Sequence, residues 1–474
     1  MARKTKFFKA ESVRYWALIT FLVLTFLTGG ASRADVQSLI ILRPAAVIFC
    51  GIGLWSLRWE EVKAYRFLFS MTAAIFALVL VHLIPLPSSI WGALPGRGII
   101  TEIDKVAELG EVWRPISMVP SATWNAFYSL FVPLAVLILG VQLSREERFK
   151  LLPWVLGLGL SSGFFGILQI VGDPQGPLYL YNVTNNGAAV GLFSNRNHQA
   201  MLLASLLPML AVYASTSVRS EEQLGPRRWV AIGAGAVLVP LLLVTGSRAG
   251  LILGVVGLLL ISLVYRQPAS LTPKKRKGNK FDMRYALAGF GVLCLGALTI
   301  IMSRAEAFQR LFAAAQGEED RFQIWVPIAQ MAWKYFPFGS GIGSFVEVYQ
   351  IDEPYELLSP EYYNHAHNDW LEAYMTGGML ALLLLTLALA AWIRLSAKSL
   401  RTPLREGRGA AFARLGAVTI FLLALGSIGD YPLRAPTLAS VFVIAALWLA
   451  GDLAGLPKTG GSLERAKLGD SENG

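Results

Sequence analysis

Cysteine, histidine and charged side chains are all scarce in this chain of 474 residues. The two cysteines, Cys50 and Cys294, both fall inside apolar stretches, which excludes a disulfide framework and a cysteine-built zinc cluster. Charged residues make up 15% of the chain and hydrophobic residues 54%, a composition too apolar for a set of soluble domains. The chain is therefore expected to be a membrane protein.

Apolar stretches recur along the whole sequence. Each is roughly 17 to 25 residues long, enough for a helix to cross a hydrocarbon core of ~30 Å. The alternating pattern of an outer-membrane barrel is absent, so we predict an all-α polytopic integral membrane protein with about twelve transmembrane helices, forming one transmembrane domain over residues 1–474. The predicted spans are 15–31, 38–57, 66–86, 123–143, 151–172, 197–215, 229–245, 249–265, 285–302, 369–393, 412–429 and 435–454.

The basic residues predict which side each loop faces. Most of the 42 lysines and arginines fall in alternate connections or at the termini, and such residues concentrate in cytoplasmic loops. Both termini, including a disordered tail at 456–474, are therefore predicted to be cytoplasmic. The net charge of +11 does not indicate a nucleic-acid partner, because the basic residues form short clusters beside span ends and no continuous basic face.

Two connections on the outer, periplasmic side are unusually long. They cover residues 87–122 and 303–367, and the second is rich in aromatic residues, glycine and proline. Long loops that are not linkers tend to carry function. We predict that 303–367, between spans nine and ten, carries short surface helices and contributes to an active site.

The predicted outer side also holds nearly all the polar residues that a purely structural bundle would not need. Arg43, inside the second span, is an exception: it is costly in lipid and should face the bundle, but the sequence does not identify its partner. The outer polar residues lie in five stretches: Ser194–His198, Thr245–Arg248, Arg321, His365–Asp369 and Gly429–Arg434.

Structural explanations remain open for the charged members of these stretches. Arg248, Arg196 and Arg434 could snorkel from helix ends, although an arginine in a short outer loop is unexpected without an anionic partner. Asp430 and Arg434 could pair with each other across their turn.

Histidine placement is more informative. Of the four in the chain, His82 near a span end fits interfacial packing, whereas His198, His365 and His367 all lie in the outer clusters. Two histidines two residues apart, with no cysteine nearby, do not form a zinc site. A neutral imidazole can accept a proton from a sugar hydroxyl, and Asn368 and Asp369 could orient it.

Several outer arginines complement such a base. A guanidinium binds phosphate oxygens in bidentate fashion and stabilises charge that develops on a leaving diphosphate. A histidine base with arginine clamps therefore indicates glycosyl transfer from a lipid-linked diphosphate sugar.

With these motifs the sequence resembles the O-antigen ligase and polymerase family of bacterial membrane glycosyltransferases. The resemblance covers about residues 190–440, and the earlier part matches in hydropathy alone. The matching stretches are Gly191–Ala200 (GLFSNRNHQA), Thr245–Gly250 (TGSRAG), Arg321–Trp325 (RFQIW), Phe338–Gly343 (FGSGIG), His365–Leu371 (HAHNDWL) and Asp430–Arg434 (DYPLR).

The resemblance implies a GT-C-like fold in the bacterial inner membrane, with the active site facing the periplasm. It implies transfer of a glycan from undecaprenyl diphosphate to an acceptor sugar hydroxyl, such as that of lipopolysaccharide core, with inversion and without metal, nucleotide or other cofactor. His367 would be the base, Arg248 and Arg321 the diphosphate ligands. Supporting residues would be Arg196, Asn197, His198, His365, Asn368, Asp369, Asp430 and Arg434.

The motifs do not separate a ligase from a polymerase that extends repeat units of O-antigen or exopolysaccharide. A flippase or transporter of lipid-linked sugars is a further alternative, but it predicts charges along a path at mid-membrane, where this sequence places almost none besides Arg43. The sequence leaves open the sugars, the acceptor, the oligomeric state and whether His365 or His367 is the base.

Overall fold

The computed structural model describes residues 12–216, 224–266, 322–358, 360, 362–404 and 407–451. These residues are mostly helical, with one pair of two-residue strands. The helices are α1 (Val13–Thr28), α2 (Leu39–Ser56), α3 (Trp59–Ala64), α4 (Arg66–His82), α5 (Ser88–Gly92), α6 (Gly98–Val106), α7 (Pro120–Ser129), α8 (Phe131–Val141), α9 (Arg145–Phe149), α10 (Leu151–Val171), α11 (Arg196–Ser215), α12 (Leu224–Val244), α13 (Arg248–Val264), α14 (Trp325–Lys334), α15 (Phe345–Asp352), α16 (Asp369–Arg401), α17 (Arg408–Gly426) and α18 (Pro436–Gly451). Strands β1 (Pro85–Leu86) and β2 (Arg114–Pro115) pair antiparallel, and short 3-10 helices cover Tyr355–Leu357 and Pro432–Arg434.

Eleven of the predicted spans fall on apolar helices. Seven helical segments in the described part of the chain are long and apolar enough to cross a membrane, and α1, α4, α13 and α18 are apolar helices of 16 or 17 residues. These four rise only about 24 to 26 Å at ~1.5 Å per residue, roughly one turn short of the hydrocarbon core. The predicted span at 285–302 lies outside the described residues, so the count of twelve stays a prediction.

The loops predicted to face outward meet at one end of the helix bundle. At this end the backbone amide of Thr437 donates to the Gly29 carbonyl at 3.0 Å, and that of Asp369 donates to the Ser427 carbonyl at 3.0 Å. At the opposite end, the Ser12 amide donates to a carboxylate oxygen of Glu147 at 2.8 Å. The alternation predicted from charge therefore agrees with the packing, while the identity of the first end as periplasmic stays a prediction.

The two long outer segments are bound to each other through the glycine-rich stretch 338–343. His82 Nδ1 accepts from the Ile342 amide and Nε2 lies 3.2 Å from the Phe338 carbonyl, so this histidine holds two backbone groups of the stretch. The fully buried Arg97 donates to the Gly339 carbonyl at 2.9 Å. Burial lowers the pKa of Arg97 to about 10. The two contacts of His82 with this stretch indicate that it is a structural residue.

The same stretch packs on a kink in α16. Gly378 leaves the helical conformation with a φ of 58°, and Gly339, at a φ of 79°, approaches so closely that a Cβ would lie 2.4 Å from the Thr376 carbonyl oxygen. Only glycine fits both requirements without strain. The FGSGIG motif is thus a docking element that fixes the first half of α16.

Two apolar cores hold this end together. The larger one joins the membrane helices, and a smaller one joins α14, α15 and the start of α16. Ala366 is fully buried in the smaller core. Because Ala366 separates His365 from His367, its burial fixes where both imidazoles lie.

Candidate active site

The N-terminal ends of α11 and α13 lie side by side at the outer end of the bundle. Ser247 caps α13 by accepting from the Gly250 amide at 3.0 Å. Gly250 lies so close to Ala200 on α11 that a Cβ there would meet the alanine methyl at 2.2 Å. Arg196 and Arg248, both half-buried, are the first residues of the two helices. Helix N-termini present backbone N–H groups and a positive dipole, which favour anions.

Asp430 is a fully buried carboxylate in the turn between α17 and α18. Its Oδ2 accepts from Asn197 Nδ2 at 2.6 Å, and its Oδ1 lies 3.6 Å from His198 Nε2 and 3.7 Å from His367 Nδ1. The two histidine distances exceed normal hydrogen-bond lengths, so those contacts act mainly through charge. Burial raises the pKa of Asp430, but the two imidazoles lower it more, and the pKa ends well below the usual range.

Glu372 is a second buried carboxylate, in the first turn of α16. His365 Nδ1 lies 3.2 Å from each of its oxygens, the Ala366 amide donates to it at 3.0 Å, and Arg434 Nη2 lies 3.1 Å from Oε1. Sequence reasoning missed this residue. The signal was available, because a glutamate inside a predicted span is as costly as Arg43.

Arg434 belongs to this second cluster. Its Nε donates to Asp369 Oδ1 at 3.0 Å, in addition to its contact with Glu372. Burial lowers the pKa of Arg434, but the two carboxylates raise it more, and the net shift is upward. The alternative in which Arg434 pairs with Asp430 is therefore wrong.

Asn368 and Asp369 have structural contacts. The Asn368 side chain accepts from the amides of Trp370 and Leu371 at 3.1 Å and so caps α16, and Asp369 Oδ2 accepts from Ser427 Oγ at 3.2 Å. These contacts anchor the helix that follows the two histidines.

Tyr431 stands between the two carboxylate clusters. Its ring centroid lies 4.3 Å from that of His365, 5.0 Å from that of His367 and 5.1 Å from that of His198. Tyr431 is 5% exposed, and its hydroxyl lies 3.4 Å from the side-chain nitrogen Nδ2 of Asn364. All three outer histidines of the sequence are thus gathered around one tyrosine, with His367 and His198 on the Asp430 side and His365 on the Glu372 side.

The structure therefore brings together most of the residues predicted for the site. Asn197, His198, His365, His367, Asp369, Asp430 and Arg434 lie in the two clusters, and Arg196 and Arg248 begin the adjoining helices. Arg321 lies outside the described residues.

Among the described residues there is no group of three histidine, cysteine, aspartate or glutamate side chains arranged to hold a metal ion. The metal-independent chemistry implied by the resemblance stays a prediction.

Residues 233–386, about a third of the chain, match the family model of the O-antigen ligase domain. The resemblance to the O-antigen ligase family is confirmed. No curated protein matches the chain.

The matched region contains Arg248 and the His365–Asp369 motif, and it ends inside α16. Asn197, His198, Asp430 and Arg434 lie outside it, and they join the site through the contacts described above. Together with the apolar helices, the match supports a multi-pass membrane protein of O-antigen and polysaccharide biosynthesis.

Proposed function

We propose that the protein is an O-antigen ligase-like glycosyltransferase of the bacterial inner membrane. It would move a glycan from undecaprenyl diphosphate to a hydroxyl of an acceptor sugar, such as lipopolysaccharide core, on the periplasmic face. The observation that carries the proposal is the pair of His367 and the anionic Asp430 beside the N-terminal ends of α11 and α13. This arrangement supports the proposal, because an imidazole can accept a proton and the neighbouring helix ends are suited to bind a diphosphate.

In the proposed reaction the acceptor hydroxyl oxygen attacks the anomeric carbon of the donor from the side opposite the diphosphate. A new C–O bond forms, the bond to the diphosphate oxygen breaks with inversion, and undecaprenyl diphosphate leaves with the electron pair. His367 takes the hydroxyl proton. Its Nδ1 faces Asp430, so Nε2 is the nitrogen that would receive this proton, and Asp430 would stabilise the resulting imidazolium.

The arginines would act on the leaving group. Arg248, at the start of α13, and Arg321 are the proposed diphosphate ligands, with Arg196 in a supporting place. Guanidinium groups bind phosphate before the reaction and stabilise it further as its charge grows.

Transfer by the purified protein tests the proposal. Reconstituted protein would receive an undecaprenyl-diphosphate-linked glycan together with lipopolysaccharide core, and the product would be analysed by mass spectrometry. Glycan on the core supports the ligase. Glycan joined to a second lipid-linked glycan supports the polymerase alternative, and movement of intact donor across sealed vesicles without transfer supports the flippase.

A further inference from the structure

A second part of the outer end carries polar chemistry that the proposed reaction does not use. A cavity of about 530 Å³ lies between α2, α4, α7, α8 and α18, and His365, Glu372 and Arg434 form part of its wall. This volume is within the roughly 300 to 1,000 Å³ typical of small-ligand sites. The cavity therefore adjoins the Glu372 side of Tyr431, opposite the helix ends assigned to the donor.

Three arginines line the cavity, and they differ in their partners. Arg33 forms a two-point ion pair with Asp35, at 3.0 and 2.8 Å, and Arg434 is paired with Glu372 and Asp369. Arg43 instead donates from Nη2 to the side-chain carbonyl of Asn125 on α7. Among the described residues no carboxylate lies within salt-bridge distance of Arg43, and its Nε is buried without a hydrogen-bond partner. Arg43 is thus a cation whose charge a ligand could balance.

The depth of Arg43 fits a ligand at the membrane boundary. It lies four residues into α2, or about 6 Å below the helix start at ~1.5 Å per residue, and Asn125 lies about 7.5 Å into α7 by the same measure. An arginine that merely snorkels reaches toward water. Arg43 instead crosses to a neighbouring helix and faces the cavity, which is the usual position of a functional charge inside a membrane protein.

The other lining groups favour a sugar over a lipid headgroup. Tyr362 and Asn364 contribute an aromatic hydroxyl and a side-chain amide to the wall, and Asn125 and Ser129 add polar groups from α7. Saccharides need several such groups around them, whereas a headgroup held by Arg43 alone would need none near the histidines. Two exposed carboxylates line the wall: Asp35, which is paired with Arg33, and Glu347, which lies on α15.

We infer that this cavity is the acceptor subsite and that Arg43, positioned by Asn125, selects an acceptor sugar that carries a carboxylate or phosphate group. The assignment of this cavity to the acceptor rests on the proposed function. The preference for an acidic saccharide rests on the unbalanced guanidinium alone.

Binding of two matched probes tests the inference independently of transfer. The full chain in phosphatidylcholine nanodiscs would be titrated with octyl glucuronide and with octyl glucoside, which differ by a carboxylate. The glucuronide carboxylate would form a charge-assisted hydrogen bond with Arg43. We therefore expect wild type to bind the glucuronide about tenfold more tightly than the glucoside. Arg43→Gln should abolish this preference, and Arg43→Lys and Asn125→Ala should reduce it.

Arg14→Gln is the matched control. Arg14 donates to the Ser56 carbonyl at the other end of α2, at 3.5 Å, so its removal should leave the probe preference intact. Equal thermal midpoints for the variants would show that Arg43→Gln has not unfolded the cavity.

Several results would overturn the inference: equal binding of both probes by wild type, an undiminished preference in folded Arg43→Gln, or displacement of the glucuronide when phosphatidylglycerol replaces part of the phosphatidylcholine. The last result would assign Arg43 to bulk anionic lipid. A clear glucuronide preference in a protein that transfers no glycan would leave the acidic-sugar site standing and remove the proposed function instead.

Discussion

The two buried carboxylates on either side of Tyr431 resemble each other in burial and differ in what neutralises them. Asp430 is 0% and Glu372 1% exposed, and each faces one histidine of the His365–Ala366–His367 segment. Glu372 shares its charge with the guanidinium of Arg434, which is always protonated. The described partners of Asp430 include the neutral side-chain amide of Asn197 and two imidazoles. An imidazole carries a positive charge only after it has taken up a proton.

This difference suggests separate tasks. A carboxylate already balanced by a guanidinium stabilises geometry but gains little from a proton on the neighbouring histidine. A carboxylate beside imidazoles stabilises an imidazolium as it forms. We therefore expect the Asp430 side to move the proton and the Glu372 side to hold the structure.

The largest expected effect is that of His367→Ala. Because proton removal matters chiefly in the transition state, turnover should fall by about 10²- to 10⁴-fold while donor binding survives. His365→Ala is the matched comparison and should retain far more activity. Turnover and donor affinity at equal expression measure both variants. If His365→Ala is inactive and His367→Ala nearly normal, the assignment of the two sides is reversed, and normal transfer by both would remove histidine from the mechanism.

Arg434→Ala should act on stability. Removing one partner of a buried ion pair costs about 3 to 5 kcal/mol, and the 27% exposure of the Arg434 side chain places the expected loss near the lower end, about 3 kcal/mol. A lowered thermal midpoint, with reduced yield of folded protein, is the expected result. Glu372→Gln combined with Arg434→Gln should recover part of the loss, because no unbalanced charge remains buried. Full stability in Arg434→Ala would contradict the structural task of this side.

Arg248→Ala should weaken both donor binding and turnover, by about tenfold to 10²-fold in turnover, because phosphate is held before and during the reaction. Arg248→Lys should recover only part, since lysine keeps the charge and loses the planar fork. Equilibrium binding of the lipid-linked donor and steady-state kinetics separate the two effects. An unchanged donor affinity in both variants would mean that the Asp430 side does not face the donor.

Some of the features on which these effects depend could be predicted from the sequence, and others could not. Hydropathy located eleven of the predicted spans on apolar helices, because a helix in lipid must be long and apolar. The predicted 197–215 matches α11, Arg196–Ser215, within one residue, whereas the predicted 369–393 ends eight residues before α16 does. The clustering of His198, His365 and His367 could also be predicted. Consecutive loops alternate between the two ends of the bundle, so loops that are distant in sequence lie at the same end.

Contacts between helices could not be predicted in the same way. The partner of Arg43 is Asn125, on a helix 82 residues away, and spacing along the chain carries no information about which helices pack together. Hydropathy did not single out Glu372, because a single acid barely changes the mean hydropathy of a 33-residue helix. Its contact with the segment that carries His365 and His367 depends on the folded loop, in which the Ala366 amide donates to its carboxylate. The sequence predicts that Asn368 orients a histidine, whereas in the structure its side chain caps α16.

Asp430→Asn should have a smaller effect than loss of the base. The amide keeps the shape but removes the charge that stabilises the imidazolium, so turnover should fall about tenfold to 10²-fold. The pKa of Asp430 lies well below its usual range, so in wild type the carboxylate is lost only at a pH below the range in which an ordinary aspartate is protonated. Above that pH the acidic limb of the rate profile reports the imidazole, and without the neighbouring anion the limb should move to lower pH. Glu372→Gln, measured alongside, should leave the limb in place. If the acidic limb moves in Glu372→Gln and stays in place in Asp430→Asn, the Glu372 side supports proton transfer and the Asp430 side supports the structure, the reverse of the present assignment.

The smallest expected effect is that of a chelator. The contrast between the two sides assumes that side chains balance both carboxylates, Glu372 through Arg434 and Asp430 through its imidazoles. A divalent ion at Asp430 would replace the imidazoles in that balance and would provide the positive charge for the leaving diphosphate as well. The described residues contain no cluster of ligands for such an ion, so we expect transfer at an unchanged rate in excess EDTA. The assay would use purified protein and lipid-linked donor, with a magnesium-dependent glycosyltransferase as the positive control for chelation. Loss of transfer that added metal restores would show that Asp430 is a metal ligand, and its distinction from Glu372 would then rest on coordination instead of proton transfer.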